Sequence, residues 1–413
     1  MRAHPDFRSP VFLRRHAHDI VGFYDSCALD PAGGFFHAFK DDGQICHPAE
    51  RLLISSAGFV TLYARMLRHF SGEPQSQSWR NALQHGLSFL ERAHRDPTSG
   101  SYAWSLHWQH GQLQSRDFRA ESLGLAHVLN AHAHAVLVDV PSSLPVLEQI
   151  WYALETRFYD RRAGLYASRI LADGQLDPRR CQSVNLALCE AFLSAWTATG
   201  DRKYLDRADQ LAELVTDLLA SRTGGLIWEN FHVDWSPDLA YGGEYDPAQA
   251  RWGFRLADQM HWSRLLLQID QELPGSDEEH PRVQRARELF ARATRLGWDR
   301  AHEGLVNTLG PNQQVLDTHR HHDALAEGIV AAALLGQRTA SGAYWDWYDR
   351  FWGFAWKHFV DQRKGGWWRA LNGANQKISD DKSPPGKVDL PNLGACLDIL
   401  EAFETQTIPG ALS

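Results

Sequence analysis

One short phrase recurs along the chain and limits what it can fold into: an acidic residue, a few polar residues, a glycine, then aromatic or apolar residues. It reads Asp30-Pro-Ala-Gly-Gly-Phe-Phe, Asp96-Pro-Thr-Ser-Gly-Ser-Tyr-Ala-Trp104, Asp160-Arg-Arg-Ala-Gly-Leu-Tyr, Asp299-Arg-Ala-His-Glu-Gly-Leu-Val and Asp361-Gln-Arg-Lys-Gly-Gly-Trp-Trp, with Ser221-Arg-Thr-Gly-Gly-Leu-Ile-Trp as a variant lacking the acid. Successive copies start 66, 64, 61, 78 and 62 residues apart. That period fits one helical hairpin with its loops, and internal repetition of this kind signals a repeat architecture.

What flanks the phrase shows what it punctuates. An amphipathic segment precedes each copy, as in Ser88-Phe-Leu-Glu-Arg-Ala-His and Trp356-Lys-His-Phe-Val. A longer segment, apolar on most sides as a buried helix is, follows each one: Glu50–Phe70, Phe118–Leu137, Gln182–Thr199, Leu256–Ile269, His321–Leu335 and Leu390–Phe403. The glycine is expected to stop the outer helix in a left-handed conformation. Six outer and six inner helices predict an all-α (α/α)6 barrel, with an open solenoid as the rival. Closure is preferred because the last inner segment is as apolar as the middle ones. No linker interrupts the period, so residues 1–413 read as a single domain.

Composition narrows the partners. The chain has 16 Trp, 11 Tyr and 19 Phe, enough to line a sugar-sized pocket as well as fill a core. A net charge of -8 points away from nucleic acid and from a membrane surface. The amino terminus, Met1-Arg-Ala-His-Pro-Asp-Phe-Arg, has no signal-peptide run, and no apolar stretch approaches the roughly 18 residues of a membrane span, so a cytoplasmic protein is expected. Five cysteines, Cys27, Cys46, Cys181, Cys189 and Cys396, contain no CxxC pair and signal neither disulfides nor zinc. P-loop, GxGxxG and GxSxG patterns are absent, and no cofactor is expected.

Chemistry is expected on the first turns of the inner helices and in the loops before them. Glu50 and Arg51 open the first, Arg119 and Glu121 the second, with His127 and His134 further along one face. The third begins Gln182-Ser-Val-Asn185. The long loop His232–Phe254, with Tyr241-Gly-Gly-Glu-Tyr-Asp-Pro, suits a rim or lid. In the fourth, Asp258 and His261 share a face at i and i+3, where a carboxylate orients an imidazole as a general base. The fifth opens His319-Arg-His-His322-Asp323, more readily a solvated start than a metal site, and carries Glu327 in an Ala-rich run, where a lone buried carboxylate demands a partner or a function. The polar loop Ser379–Asp389 precedes the sixth.

Several phrases carry a family resemblance: Asp30-Pro-Ala-Gly-Gly-Phe-Phe, Arg180-Cys-Gln-Ser-Val-Asn-Leu-Ala-Leu-Cys-Glu, Gly225-Leu-Ile-Trp-Glu-Asn, Trp345-Asp-Trp-Tyr-Asp-Arg and Lys382-Ser-Pro-Pro-Gly-Lys-Val-Asp389. They resemble the N-acylglucosamine 2-epimerase superfamily, in its mannose isomerase-like branch, over nearly the whole chain. The resemblance implies an (α/α)6 barrel that interconverts aldoses and ketoses, or epimerises C2, by moving a proton through an enediol-like intermediate. It implies Arg51 as a sugar contact and Glu327 as a retained carboxylate. The chain departs from the pattern where the family has histidines: Asn-x-His meets Asn185-Leu-Ala187, Gly-His-x-x-Glu-Trp meets Ala257-Asp258-Gln-Met-His261-Trp262, and Asp-Tyr-His meets Asp389-Leu-Pro391, while a second family arginine meets Gly58.

Three functions are consistent with this: a monosaccharide isomerase or epimerase with relocated proton carriers, a catalytically silent sugar binder, and a glycoside hydrolase or lyase using carboxylates such as Asp258 and Glu327. On the first reading His261 is the general base, Asp258 its partner or the second acid, and Glu327 a hydroxyl ligand or proton shuttle. Arg51, Asn185, Trp104 and His322 bind the sugar, in a monomer or homodimer.

Overall fold

Each of the five phrases that begin with aspartate folds as a turn closed by that residue. In the computed structural model, which describes residues 4–171, 173–240, 252–273 and 280–406, Asp30 Oδ1 accepts the amide of Ala32 at 2.8 Å. Asp96, Asp160, Asp299 and Asp361 accept in the same way from Thr98, Arg162, Ala301 and Arg363. A carboxylate bonded to the N–H two residues on mimics a backbone turn. The chain then pairs with itself, Leu29 with Phe35, Arg95 with Tyr102, Trp298 with Leu305 and Val360 with Trp367. The phrase glycine therefore closes the turn rather than ending the helix before it. Gly365 has φ +79° and gives its amide to the Asp361 carbonyl, and a Cβ there would come within 2.0 Å of the Asp19 carbonyl oxygen.

The remaining carboxylate oxygen takes a buried cation from further down the chain. Arg51 meets Asp30 at 2.5 Å, Arg320 meets Asp299 at 2.7 Å and Lys382 meets Asp361 at 2.6 Å, in every case 21 residues apart. Arg180 is electrostatically coupled to Asp160 in the third phrase. The arginines also gather nearby carbonyls: Arg51 Nη1 donates to Pro48 and Glu50, and Arg180 Nη1 to Asp177 and Arg179, the same i-3 and i-1 positions. Burial alone would raise the Asp361 pKa. Lys382 and the amides of Lys364 and Arg363 outweigh it and hold the carboxyl below its usual range.

Among the described residues twelve α-helices lie between the turns: α1 (Pro10–Asp25), α2 (Leu53–Phe70), α3 (Ser76–Phe89), α4 (Ser122–Val136), α5 (Leu144–Arg157), α6 (Gln182–Thr199), α7 (Arg202–Glu213), α8 (Leu256–Glu272), α9 (Pro281–Gly297), α10 (His322–Thr339), α11 (Gly342–His358) and α12 (Leu390–Gln406). Pro10 and Pro281 occupy first turns, where a missing N–H costs nothing, and Asp201 caps α7 by accepting the Lys203 amide at 3.1 Å. The even-numbered helices are the six predicted inner segments. Two begin later than Glu50 and Phe118 because those approaches are extended: Glu50–Leu52 pairs with Ser105–His107, and Ala120–Glu121 with Arg169–Ile170.

By their contacts the residues form two units. In the unit of Cys27–Arg255 with Ser383–Val388, α2 packs on α4 and α4 on α6, covered by α3, α5 and α7 respectively. In the other, made of the first 26 residues, Leu256–Lys382 and the chain from Asp389 on, α8 packs on α10 and α10 on α12, covered by α9, α11 and α1. Most aromatics are core, including the fully buried Trp79, Trp228, Trp262, Trp352 and Trp367. Among the described residues no helix is long and apolar enough to cross a membrane.

Two stability tests follow. Removing a clamp cation strands a buried carboxylate, which costs about 3–5 kcal/mol. Arg51→Met is expected to lower the unfolding free energy by that much in urea, against about 0.5 kcal/mol for cutting the exposed Arg202–Asp206 pair. Burial pushes His16, His94 and His132 down to about 4 and His37 to about 3. The unfolded chain, with its histidines near 6.5, takes up protons first, so this contribution is complete above pH 6.5 and lost as pH falls towards 4. The urea midpoint is expected to drop already between pH 6.5 and 4.5, before carboxylates titrate.

Candidate active site

The second unit gathers charge on the facing sides of α8, α10 and α12. Asp258, His261 and Arg264 follow one another at i, i+3 and i+6 on α8, and Glu327 lies on α10. Arg264 Nε donates to Glu327 Oε2 at 2.6 Å and Nη1 to Gln268 Oε1 at 3.0 Å, while Nη2 lies 2.7 Å from His261 Nε2. Asp398 of α12 stands 4.0 Å from Nη1. A guanidinium only donates, so His261 Nε2 is the acceptor and the ring hydrogen sits on Nδ1, 3.7 Å from Glu327 Oε1. Glu327 therefore has the partner its burial demands. The His261 lone pair is committed to Arg264, and the ring becomes a base only when that bond opens.

His322, the first residue of α10, belongs to another set of bonds. Its Nδ1 lies 2.8 Å from Asn392 Oδ1, Asn392 Nδ2 donates to Asp389 Oδ1 at 2.5 Å, and the Tyr24 hydroxyl donates to Asp389 Oδ2 at 3.0 Å. His319 does not join it and pairs with Asp317 at 2.6 Å. Among the described residues no three His, Cys, Asp or Glu side chains are arranged to hold a metal ion.

The first unit holds the other candidates. Arg51 is fully buried in the clamp with Asp30. Asn185 Oδ1 accepts the Tyr166 amide at 2.9 Å, and its Nδ2 donates to the carbonyls of Tyr166 and Cys181 at 3.2 and 3.3 Å, stitching two loops to the start of α6. Trp104 lines a cleft of about 550 Å3 with Phe118, Arg119, Glu121, Tyr152 and Arg157. Of the expected lid, Tyr241 to Arg251 lie outside the described residues.

Sequence reasoning passed over Arg264, although a single cation ahead of Leu265-Leu-Leu267, three residues after His261, was a visible signal. Tyr24 and Asn392 gave none, because the bonds that matter join residues as far as 365 apart.

Helical pairs carrying buried charge on their inner members suit an all-helical enzyme of small polar substrates. The profile of the N-acylglucosamine 2-epimerase (GlcNAc 2-epimerase) family matches residues 34–393, and the chain belongs to that family of sugar isomerases and epimerases. It is 33% identical over 405 residues to a D-mannose isomerase of Marinomonas mediterranea, covering 97% of this chain and 99% of that one. A D-mannose isomerase of Thermobifida fusca is 31% identical over 309 residues, 74% of each chain. A crystal structure of D-mannose isomerase superposes with a TM-score of 0.90 at 33% identity, covering 97% of this chain and 100% of that chain. The fold is the one those proteins share, the all-helical class expected from the repeated phrase.

The Arg264–Glu327 pair makes a separable prediction. Arg264→Met leaves a buried carboxylate unpaired and is expected to cost about 3–5 kcal/mol in urea unfolding, whereas Arg264→Met with Glu327→Leu is expected to recover most of that loss. A double variant no more stable than the single one would show that Glu327 is held by other contacts.

Proposed function

We propose that this enzyme isomerises D-mannose to the corresponding 2-ketose by moving a proton between C2 and C1. The observation that carries the reading is the Arg264–Glu327–His261 cluster in a chain similar over 97% of its length to a D-mannose isomerase. An enediolate needs a fixed positive charge near its oxygens and groups that pass protons to and from them. Arg264 supplies the charge. When a sugar oxygen draws its Nη2 away, the lone pair of His261 is released, so the base is unmasked as substrate arrives. Asp258, His261 and Glu327 are the proton-transfer groups, and Glu327 receives hydroxyl protons through His261 Nδ1.

Arg51 and Asn185 act by shaping their loops rather than by touching sugar, as their buried bonds support. Trp104 offers a sugar ring an aromatic face in the cleft of its own unit. The substrate is a free monosaccharide, handled without a cofactor or a nucleic acid by a monomer or homodimer in the cytoplasm.

Incubation with D-mannose in D2O, followed by NMR, tests the reading. Deuterium is expected at C2 of mannose and C1 of the ketose, and Glu327→Gln is expected to lower kcat by about 10^2-fold or more. Sugar binding without any exchange would instead establish a silent binder.

A further inference from the structure

The bonds that end at His322 fix which of its nitrogens can accept a proton. These bonds start from Asp389. It precedes α12 with φ +49°, a left-handed conformation uncommon for a side chain with a Cβ, and such strain persists where the surroundings over-determine it. Tyr24, Asp389 and Asn392 are completely buried and His322 is 9% exposed. Lys382 couples electrostatically to the same carboxylate. A carboxylate only accepts, so it takes the Tyr24 hydroxyl on one oxygen and must be given the NH2 of Asn392 on the other. The Asn392 carbonyl oxygen then faces His322, and a carbonyl oxygen also only accepts. The hydrogen of the His322 ring therefore sits on Nδ1, and the lone pair of the neutral ring is on Nε2.

His261 and His322 are thus set as opposites. His261 commits its Nε2 lone pair to Arg264, while the bond to Asn392 fixes the His322 hydrogen on Nδ1 and makes Nε2 its basic atom. Resting on the isomerase reading, we infer that His322 is the catalytic residue that carries the carbon-bound proton, with Tyr24, Asp389 and Asn392 as its positioning residues. His322 Nε2 takes the proton from C2 of the aldose. The C2–H electron pair becomes the C1=C2 bond, and the carbonyl pair moves onto O1, which is protonated through the His261–Glu327 pair. The O2 hydroxyl gives its proton back to that pair as C2=O forms, and His322 returns its own proton to C1. Every proton taken up is given back, and no oxidant or reductant is consumed.

The resting enzyme labelled with [15N]histidine tests the tautomer by two-bond 15N–1H correlation, with the His322 signals assigned by their loss in His322→Gln. The Nδ1–H pattern is expected in the wild type, shifting to Nε2–H in Asn392→Leu. Deuterium exchange at C2 of D-mannose tests the role. His322→Ala is expected to lose about 10^2–10^4-fold in kcat with a much smaller change in KM, and added imidazole to restore part of the exchange. His322→Ala removes one ring and leaves Tyr24, Asp389 and Asn392 bonded to one another, so this arm stands even where Asn392→Leu does not fold. An Nε2–H tautomer in the wild type overturns the inference. So does undiminished exchange by His322→Ala beside an active wild type, a result that leaves the isomerase reading intact. A wild type that exchanges nothing with mannose overturns both.

Discussion

An aspartate and a buried cation 21 residues downstream recur as one physical unit, and the rest of the fold is hung on it. In the pair of Asp299 and Arg320 the carboxylate closes the turn after α9, and the guanidinium stands two residues before α10. One ion pair thus fixes where an outer helix ends and where the next inner helix begins. Removing two charges from water is expensive, and an apolar pair of similar volume would often be as stable. The clamp therefore acts mainly on geometry: it aims the first turn of an inner helix, where His322 sits, and the bonds of Arg320 to the carbonyls of Glu303, Thr318 and Asn372 lock the approach from three sides.

The same economy governs the charged residues of α8, α10 and α12. Arg264, His261 and Glu327 are costly to bury singly and tolerable together, because each donor meets an acceptor. The left-handed backbone at Asp389 adds a smaller penalty, about 1–3 kcal/mol for a residue of this kind. Such expense in one region of a largely apolar helical body marks where stability has been given up for preorganised charge.

How much of this was legible in the sequence depends on the distance between partners. The inner helices are plain because their apolar residues cover most sides, a property of consecutive residues. Their starts are less plain, since Glu50–Leu52 is drawn into a strand by Ser105–His107, a partner no local window contains. Glu327 stands out as a lone carboxylate among alanines, yet the residue that satisfies it is on another helix. Arg51 is visible as a charge at a helix start, and its meaning is open only to a reader who notices that Arg320 and Lys382 stand at the same offset from their own aspartates. The bond between Tyr24 and Asp389 spans almost the whole chain and leaves no trace in either neighbourhood.

The covering of α12 by α1 has a consequence for synthesis. The unit of α2 to α7 is nearly contiguous, Cys27–Arg255 plus a six-residue segment, and its hairpins can pack as they leave the ribosome. The other unit joins α1 to α12, the two described helices farthest apart in the sequence. Until α12 has been made, α1 waits with Leu13, Ile20 and Tyr24, all fully buried in the folded protein, without the helix it packs against. At about 5–20 residues per second that wait lasts tens of seconds, through which α1 lacks its partner helix.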